Sequence, residues 1–280
     1  EDYCAQAMEF IKYMKLTDPE IKIILVGYDD AWNRAVFEKL GPVCDYLSVH
    51  FYAHADGRGG QFTQLAAFEK ELLRLKAQLR EVNAAPVEWN RWYRFPPRQG
   101  PIRRARDEWN IGNDGNADAG PYGLSQVDNW EDALWTACFL NLMIRHCDGI
   151  ESGCMAQLVN VIAPILADEN GCHAQTTYYP VQQYTRHAGD SGIPCSGGTE
   201  TLDVAATAEN GRTTVFAVNK GSGETLLSLP FAARALTLLT APAPEAVCSR
   251  TACPVSVEER SLPGTTEITL PGYAIAVIQE

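Results

Sequence analysis

Several side chains that can bind or transform a sugar come at the ends of short apolar segments with the pattern of buried strands. His50 and Tyr52 end one such segment, Glu108 and Trp109 end the next, and Gln157 lies at the end of a further one. A carboxylate can act on a glycosidic bond, while imidazole, phenol and amide groups hydrogen-bond hydroxyls and an indole covers a sugar face. The set predicts a carbohydrate site in which Glu108 is the reactive group.

Each of these residues also has a structural interpretation. Taken singly, His50 or Tyr52 at a strand end is more often a hydrogen-bonded structural residue, Trp109 is most often a packing residue, and Gln157 is nearly uninformative. Glu108 is harder to explain in this way, because a carboxylate at the end of a buried strand is unfavourable unless it is paired or functional. The whole set therefore indicates function more strongly than any member does.

The segments that would position these residues alternate between strand and helix. Apolar residues at helical spacing predict helices over residues 1–14, 32–40, 62–82 and 129–144. Short apolar runs between them predict strands over 21–26, 46–52, a segment ending near 110, and 149–159. Four such repeats favour a parallel sheet with helical crossovers, about half of an eight-stranded (β/α) barrel, whose reactive groups lie where strands end. A doubly wound sheet is the alternative, although the chain has no Gly-x-Gly-x-x-Gly turn.

The pattern changes after residue 197. Alternating segments at 201–208 and 212–219 are joined through Asn210-Gly211, a strong hairpin signal, and further short alternating segments follow. We therefore predict an α/β chain with two domains: residues 1–197 as the C-terminal half of a (β/α)8 barrel, and residues 198–280 as an all-β sandwich.

The amino-acid composition limits the classes of molecule that the protein is expected to bind. The 280 residues carry a formal net charge of −12, which argues against nucleic acid and anionic membranes as partners, and the apolar runs are far shorter than the ~20 residues that span a bilayer. No cysteine or histidine spacing typical of zinc occurs, so we expect no zinc site. We also expect no cofactor. The nine cysteines are odd in number and scattered, which favours reduced thiols and a cytoplasmic location; Cys248 and Cys253 are the one pair worth testing for a bridge.

Several stretches resemble the α-L-arabinofuranosidases of glycoside hydrolase family 51. They are Ser-Val-His-Phe-Tyr at 48–52, Asp-Glu-Trp-Asn at 107–110 and Ala-Gln-Leu-Val-Asn-Val-Ile-Ala-Pro-Ile at 156–165, together with Tyr-Tyr-Pro at 178–180 and Leu-Pro-Gly at 270–272. The resemblance covers essentially the whole chain, but only the later half of the family's barrel. We therefore expect the protein's true N-terminus to lie upstream of Glu1.

The resemblance implies a function for each candidate residue. Glu108 maps to the catalytic nucleophile, His50, Tyr52 and Gln157 map to the sugar-binding subsite, and Trp109 helps to shape that subsite. The family retains anomeric configuration through a covalent glycosyl-enzyme and needs no metal. Its implied substrates are arabinofuranosyl groups of polysaccharides or oligosaccharides, and its members commonly form homo-oligomers.

Two strings imitate the family's motifs. Val-Glu-Trp-Asn at 87–90 repeats the string that contains Glu108, but it precedes a Pro-rich loop and is predicted to continue the long helix, so Glu108 is favoured over Glu88. Gly-Asn-Asp at 112–114 echoes the Gly-Asn-Glu motif of the family's acid/base residue. Because it lies just beyond the nucleophile strand, it is interpreted as loop.

The sequence also departs from the family's pattern. Arg104 and Arg106 fall on the predicted nucleophile strand, where alternation would place them with Glu108 inside the barrel and in need of carboxylate partners. No Asn-Glu dipeptide, as in the family's acid/base motif, occurs in the chain. The alternation of side chains along a strand also turns Asp107 away from the barrel axis. We therefore expect that the acid/base residue is not present in this chain and that the chain alone does not hydrolyse arabinofuranosides.

Two other functions are left open. One is another retaining glycosidase on a similar barrel, such as a β-xylosidase or an endoglucanase. The other is a non-catalytic carbohydrate-binding protein on a degenerate barrel.

Overall fold

The structure is a computed structural model that describes residues 2–54, 59–90, 92–112 and 126–280. The chain forms two compact units. Unit 1 comprises Glu1–Tyr52, Ala66–Trp109 and Asp148–Met155, and unit 2 comprises Ala53–Leu65, Asn110–Cys147 and Ala156–Glu280. None of the described helices combines the length and the apolar character that crossing a membrane requires.

The four predicted helices are present as α1 (Asp2–Thr17), α2 (Asp30–Leu40), α3 (Gly60–Ala84) and α4 (Trp130–Arg145). The structure adds α5 (Tyr178–His187), which was not predicted, and a short 3-10 helix at Gly41–Val43. The Asp29 side chain caps α2 by accepting from the backbone N–H of Trp32, and Asn129 and Asp132 form a reciprocal capping box at α4.

The end of α3 differs from the prediction. The helix stops at Ala84, and Pro86 follows shortly, which disfavours helical geometry for the residue before it. The Glu-Trp-Asn string at 88–90 therefore lies in an irregular segment rather than on a continuation of the helix.

Unit 1 is built on a parallel sheet, as predicted. Strand β1 (Ile24–Val26) pairs with β2 (Tyr46–Ser48), β2 pairs with β4 (Arg103–Gly112), and β4 pairs with β5 (Ile150–Met155), all in parallel. Strand β3 (Phe51–His54) also pairs with β4, so the single strand predicted over 46–52 is interrupted at positions 49 and 50.

The core of unit 1 lies between this sheet and its helices. Leu25 and Leu47 of the sheet pack in one buried cluster with Leu75 and Leu79 of α3. The almost wholly apolar run at 21–26 predicts a strand covered on both faces, but only Leu25 of β1 is buried, while Ile24 and Val26 are 49% and 50% exposed. That expectation is wrong for β1, which lies at the edge of the sheet with one face open.

The two arginines of β4 also differ from the prediction. Arg104 and Arg106 are each 1% exposed, but their partners are not carboxylates. Arg104 donates to the backbone oxygens of Leu72 and Gly149 at 3.0 and 3.1 Å, and the Arg106 guanidinium lies 4.4 Å from the ring centre of Phe68. Both side chains therefore reach the residues of α3. Burial, with the adjacent Arg104 charge, lowers the pKa of Arg106 to about 9.

Unit 2 contains the predicted all-β region, as one antiparallel sheet in the order β12-β11-β13-β10-β9-β8. Its strands are β8 (Ser191–Ile193), β9 (Leu202–Glu209), β10 (Arg212–Asn219), β11 (Thr225–Thr240), β12 (Ser256–Leu270) and β13 (Ala274–Gln279). The turn between β9 and β10 has positive φ at both Asn210 and Gly211, as a two-residue hairpin of this type requires. Because β8 belongs to the sheet, the sheet begins before the predicted domain boundary at residue 198.

The long strands of this sheet enclose their own core. Pairing of β11 with β12 shifts register between Ser228 and Ala235, and the residues on either side of the shift, such as Leu227 and Leu238, share one buried cluster with Val204 and Ala276. These residues therefore form one core on a single continuous sheet whose β11–β12 pairing is irregular. A separate hairpin, β6 (Ile165–Asp168) with β7 (Gly171–Ala174), precedes α5.

Candidate active site

The reactive side chains of unit 1 lie just after β2 and in the middle of its neighbour β4. In the parallel pair β2–β4, Ser48 is opposite Ala105, so the residues that follow both positions emerge at the same end of the sheet. His50 and Tyr52 come from the first chain segment, and Asp107 and Glu108 from the second. The predicted convergence of His50, Tyr52 and Glu108 therefore has a simple topological cause.

Glu108 is held by two of the predicted residues. The Tyr52 hydroxyl donates to Glu108 Oε2 at 2.9 Å, and His50 Nδ1 lies 3.3 Å from the same oxygen. The Glu108 side chain is nevertheless 46% exposed, and that of His50 is 44% exposed. The carboxylate is thus fixed at one oxygen and open to a ligand.

Asp107 and Ser48 complete the cluster, and sequence reasoning missed both. Ser48 Oγ donates to Asp107 Oδ1 at 2.7 Å, and His50 Nε2 lies 3.6 Å from the same Asp107 oxygen. Alternation had turned Asp107 away from Glu108, yet both carboxylates face the two nitrogens of one imidazole. The cause is a shift in β4–β5 pairing between Arg106 and Trp109, which breaks the period of two at this point.

The electrostatics of the cluster keep Tyr52 protonated. Desolvation, followed by the hydrogen bond and the charge of Glu108, raises the pKa of Tyr52 to about 12. The phenol is therefore a hydrogen-bond donor to Glu108 over the whole range in which an enzyme would work. A carboxylate oriented in this way suits nucleophilic attack, because its free oxygen needs no rearrangement before it reacts.

The other two predicted residues have different positions. Trp109 is 2% exposed, so it is a packing residue beneath the strand end and offers no open ring face to a sugar. Gln157 is exposed and follows β5, where its backbone N–H donates to the oxygen of Val161 at 3.3 Å. Gln157 belongs to unit 2, whereas the Glu108 cluster belongs to unit 1.

The Glu-Trp-Asn string at 88–90 lies on a different segment from the Glu108 cluster. Glu88 is exposed and precedes β4, whereas Glu108 lies in the second half of that strand beside His50 and Tyr52. Asp114 lies outside the described residues. In the part of the chain that the structure describes, no three His, Cys, Asp or Glu residues form a group that could hold a metal ion.

Unit 2 contains a buried carboxyl group that the sequence did not reveal. Asp128 is 2% exposed and accepts from the Thr177 hydroxyl at 2.7 Å and from Gln126 Nε2 at 2.8 Å, while its backbone N–H donates to Gln175. Burial raises the pKa of Asp128 to about 6 although both hydrogen bonds oppose the shift. The network joins the start of α4 to the segment before α5, which indicates a structural function.

The fold is that of solved arabinofuranosidases from glycoside hydrolase family 51. The structure matches the enzyme from Thermotoga petrophila with a TM-score of 0.83 at 22% identity, covering 100% of this chain and 62% of that one. It matches the alpha-L-arabinofuranosidase from Thermotoga maritima, solved in an arabinose complex, with a TM-score of 0.80 at 22% identity, covering 100% and 61%. The predicted fold class is confirmed by this likeness.

The sequence identifies the family. The chain belongs to the family described as the alpha-L-arabinofuranosidase C-terminal domain, whose model matches residues 88–274. It is 28% identical over 264 residues to intracellular exo-alpha-(1->5)-L-arabinofuranosidase 1 of Bacillus subtilis, covering 82% of this chain and 50% of that protein. It is 27% identical over 259 residues to the corresponding protein of Halalkalibacterium halodurans, covering 81% and 49%. The chain thus spans about half the length of these curated relatives.

Proposed function

We propose that the protein containing this chain is a retaining α-L-arabinofuranosidase and that Glu108 is its nucleophile. The observation that carries the proposal is the Glu108 carboxylate itself, accessible in the second half of β4 and contacted at one oxygen by Tyr52 and His50. Membership of the arabinofuranosidase family supports the sugar class.

The proposed reaction proceeds by two displacements. A Glu108 oxygen attacks the anomeric carbon, the glycosidic C–O bond breaks, and the leaving oxygen takes a proton from an acid. The residue that gave up this proton then acts as a base and deprotonates a water molecule, which attacks the anomeric carbon and releases Glu108. Two inversions leave the anomeric configuration unchanged.

Four other residues have positioning or binding functions in this proposal; for Gln157, which belongs to unit 2, the assignment rests on the family resemblance alone. Tyr52 orients the Glu108 carboxylate through its hydroxyl, and His50 holds the other side of the same oxygen while its second nitrogen faces Asp107. Gln157 contributes an exposed amide for sugar hydroxyls. Trp109 acts only through packing beneath the site, since its ring is buried.

The acid/base carboxyl is proposed to come from sequence outside this chain. Retaining hydrolysis needs a second carboxyl group ~5–5.5 Å from the nucleophile. Asp107 is the carboxylate that shares His50 with Glu108, but Ser48 and His50 both face its Oδ1, so it is committed to holding the imidazole. The curated relatives, of which this chain covers about half, have room for the missing residue.

The test is a comparison of two glutamates in the full-length natural protein. Glu108→Ala is expected to lower turnover of an aryl α-L-arabinofuranoside by several orders of magnitude, because the covalent route is lost, and azide is expected to restore part of it. Glu88→Ala is the matched control, since Glu88 precedes a tryptophan in the same string, and should stay within about tenfold of wild type.

The same assay separates the alternatives. A panel of aryl xylosides and glucosides, with arabinofuranosides, distinguishes a β-xylosidase or endoglucanase from the proposed activity. Sugar binding with no turnover by the full-length protein would favour a carbohydrate-binding protein. Loss of activity in Glu88→Ala but not in Glu108→Ala would refute the assignment of the nucleophile.

A further inference from the structure

Unit 1 contains a small pocket that the proposed reaction does not use. It has a volume of about 250 Å³ and lies between the second half of α3, the start of β4 and the connection that precedes β5. Arg80 of α3, Arg103 of β4 and Gly149 of the connection all line it. Glu108 lies in the second half of β4, so the pocket and the candidate active site occupy different parts of this strand.

The pocket is basic although the chain is acidic. Four cationic side chains line it: Lys76, Arg80, Arg103 and Arg104. Among the described residues, Asp148 is the one acidic side chain of the lining. The whole chain carries a net charge of −12, so this local excess of positive charge runs against its average composition. Such a concentration of one sign of charge in a concave surface attracts anions.

Half of these cations have carboxylate partners. The ion pairs are Lys76–Asp148 and Arg103–Glu151. Within the part of the chain that the structure describes, neither Arg80 nor Arg104 forms an ion pair. Two positive charges of the pocket therefore have no counterion of their own.

Arg104 is buried, and one of its nitrogen atoms has no acceptor. The residue is 1% exposed, and it donates from Nε to the oxygen of Gly149 and from Nη1 to the oxygen of Leu72, whereas Nη2 has no partner among the described residues. Burial lowers the pKa of Arg104, and the charge of Asp148 opposes this shift only in part. An unpaired cation in the interior is unfavourable. A water molecule can accept from such a nitrogen but supplies no negative charge.

The walls of the pocket are held together before any ligand binds. The Asn83 side chain accepts from the backbone N–H of Ile102 at 2.8 Å and donates to its oxygen at 3.0 Å, which ties the end of α3 to the residue before β4. Arg104 ties the same helix to the connection before β5 through its bonds to Leu72 and Gly149. A preformed site loses little conformational entropy when it binds a ligand.

The chemistry of the lining suits a phosphate group. A phosphate group carries a charge of about −1.5 to −2 at pH 7, which matches the two cations that have no counterion. The planar guanidinium of an arginine also fits the spacing of phosphate oxygens. The pocket is smaller than the about 300–1,000 Å³ of sites for drug-sized ligands, so its ligand must be small.

We propose that this pocket binds the phosphate group of a small molecule, either inorganic phosphate or a sugar monophosphate, through Arg80, Arg103 and Arg104. The site is separate from Glu108 and takes no part in glycoside hydrolysis, so the inference does not depend on the proposed function. Binding stabilises the folded protein, because the arginines are brought together only in the native state.

The test is isothermal titration calorimetry of inorganic phosphate into the full-length natural protein, at an ionic strength held constant with sodium chloride. Arg80→Gln is the main variant, because Arg80 is exposed and its replacement should leave folding intact. Its affinity for phosphate should fall about tenfold, since a hydrogen bond to a charged group is lost. Arg80→Lys keeps the charge and should lose about threefold or less. Arg94→Gln is the matched control at an exposed arginine of unit 1 that does not line the pocket, and it should stay within about twofold of wild type.

The outcomes decide both the site and the ligand. A phosphate titration without saturable heat would overturn the inference, as would equal affinity of wild type and Arg80→Gln or an equal loss in Arg94→Gln. Citrate that binds as tightly as phosphate would overturn the choice of a phosphate group. Glucose 6-phosphate distinguishes the two sources: tighter binding than inorganic phosphate, with none for glucose, supports a sugar monophosphate, and weaker binding supports the free ion. Thermal unfolding is the second measurement, and phosphate should raise the Tm of wild type more than that of Arg80→Gln.

Discussion

The hydrogen bond from Tyr52 to Glu108 gives the most direct test of the candidate active site. Tyr52→Phe removes one oxygen and leaves the ring in place, so the perturbation is confined to the donor that lies 2.9 Å from Glu108 Oε2. The substitution also removes the only part of the side chain that ionises. Any change in activity can then be attributed to the lost hydroxyl.

The size of the effect follows from the strength of a hydrogen bond to a charged group. Such bonds contribute about 1.5–3 kcal/mol. Desolvation is the largest cause of the rise in the pKa of Tyr52 to about 12, ahead of the hydrogen bond to Glu108, and Tyr52 is substantially exposed. We therefore take the lower end of that range for the hydrogen bond. A loss of about 1.5 kcal/mol from the transition state corresponds to a fall of roughly tenfold in kcat/KM.

The assay is kcat/KM for an aryl α-L-arabinofuranoside, measured with the full-length protein and accompanied by thermal unfolding. Tyr46→Phe is the matched control, because Tyr46 begins β2 and precedes the strand ends that form the site. It should stay within about twofold of wild type. Unfolding should change little in either variant, since water can replace the lost donor at a Glu108 side chain that is 46% exposed. Unchanged kcat/KM in Tyr52→Phe would refute the orienting function.

Three further predictions concern the buried carboxyl group, the thiols and the isolated chain. The folded-state pKa of Asp128 is raised above its ordinary 3.8 to about 6, so the stability it provides is present below about pH 4 and is lost as the pH rises through 6, by roughly 3 kcal/mol at most. Urea unfolding between pH 4 and pH 7 should show this loss in wild type and not in Asp128→Asn, in which the Thr177 hydroxyl can turn to accept from the amide. Thiol titration of the denatured protein should find at least seven free groups among nine cysteines, since only Cys248 and Cys253 are bonded and seven others are free in the structure. The 280-residue chain expressed alone should release no arabinose from a natural oligosaccharide, whereas the full-length protein should.

Each of these predictions has a result that contradicts it. For Asp128, the control is Asp190→Asn at an exposed position, which should keep the loss of stability between pH 4 and pH 7 that wild type shows. If both variants changed that loss equally, burial of Asp128 would not be its cause. Three or four disulfides among the thiols would indicate an oxidising compartment. Turnover by the isolated chain comparable with that of the full-length protein would mean that an acid/base residue lies within these 280 residues.

The helices and the convergence of three site residues could be predicted because they depend on local pattern. The stripe of apolar residues at 62–82 predicts α3, and Leu72, Leu75 and Leu79 of that stripe are buried. Parallel strands bring their carboxyl ends to one edge, so recognising two strands was enough to place Tyr52 beside Glu108.

Trp109 and Asp128 show where local pattern is insufficient. Trp109 shares the strand end with Glu108, but its ring packs inside, and nothing in the motif indicates on which side of the sheet a residue next to an irregularity will lie. Asp128 is surrounded by Gln126, Gln175 and Thr177, two of which come from almost fifty positions further along the chain. Burial of that kind depends on which segments meet.

The sequence by itself determined the class of fold and four of the helices, and it predicts Glu108 as the reactive carboxylate, because these follow from periodicity and residue type within short windows. Only the tertiary structure decided that Arg104 and Arg106 turn to α3 and that Asp107 shares His50 with Glu108. For the arginines the physical reason is the packing of α3 against this part of β4, and for Asp107 it is the pairing register of β4 with β5, which shifts between Arg106 and Trp109. A shift of one residue reverses the face of every side chain beyond it, and register is set by contacts between segments that the sequence does not place side by side.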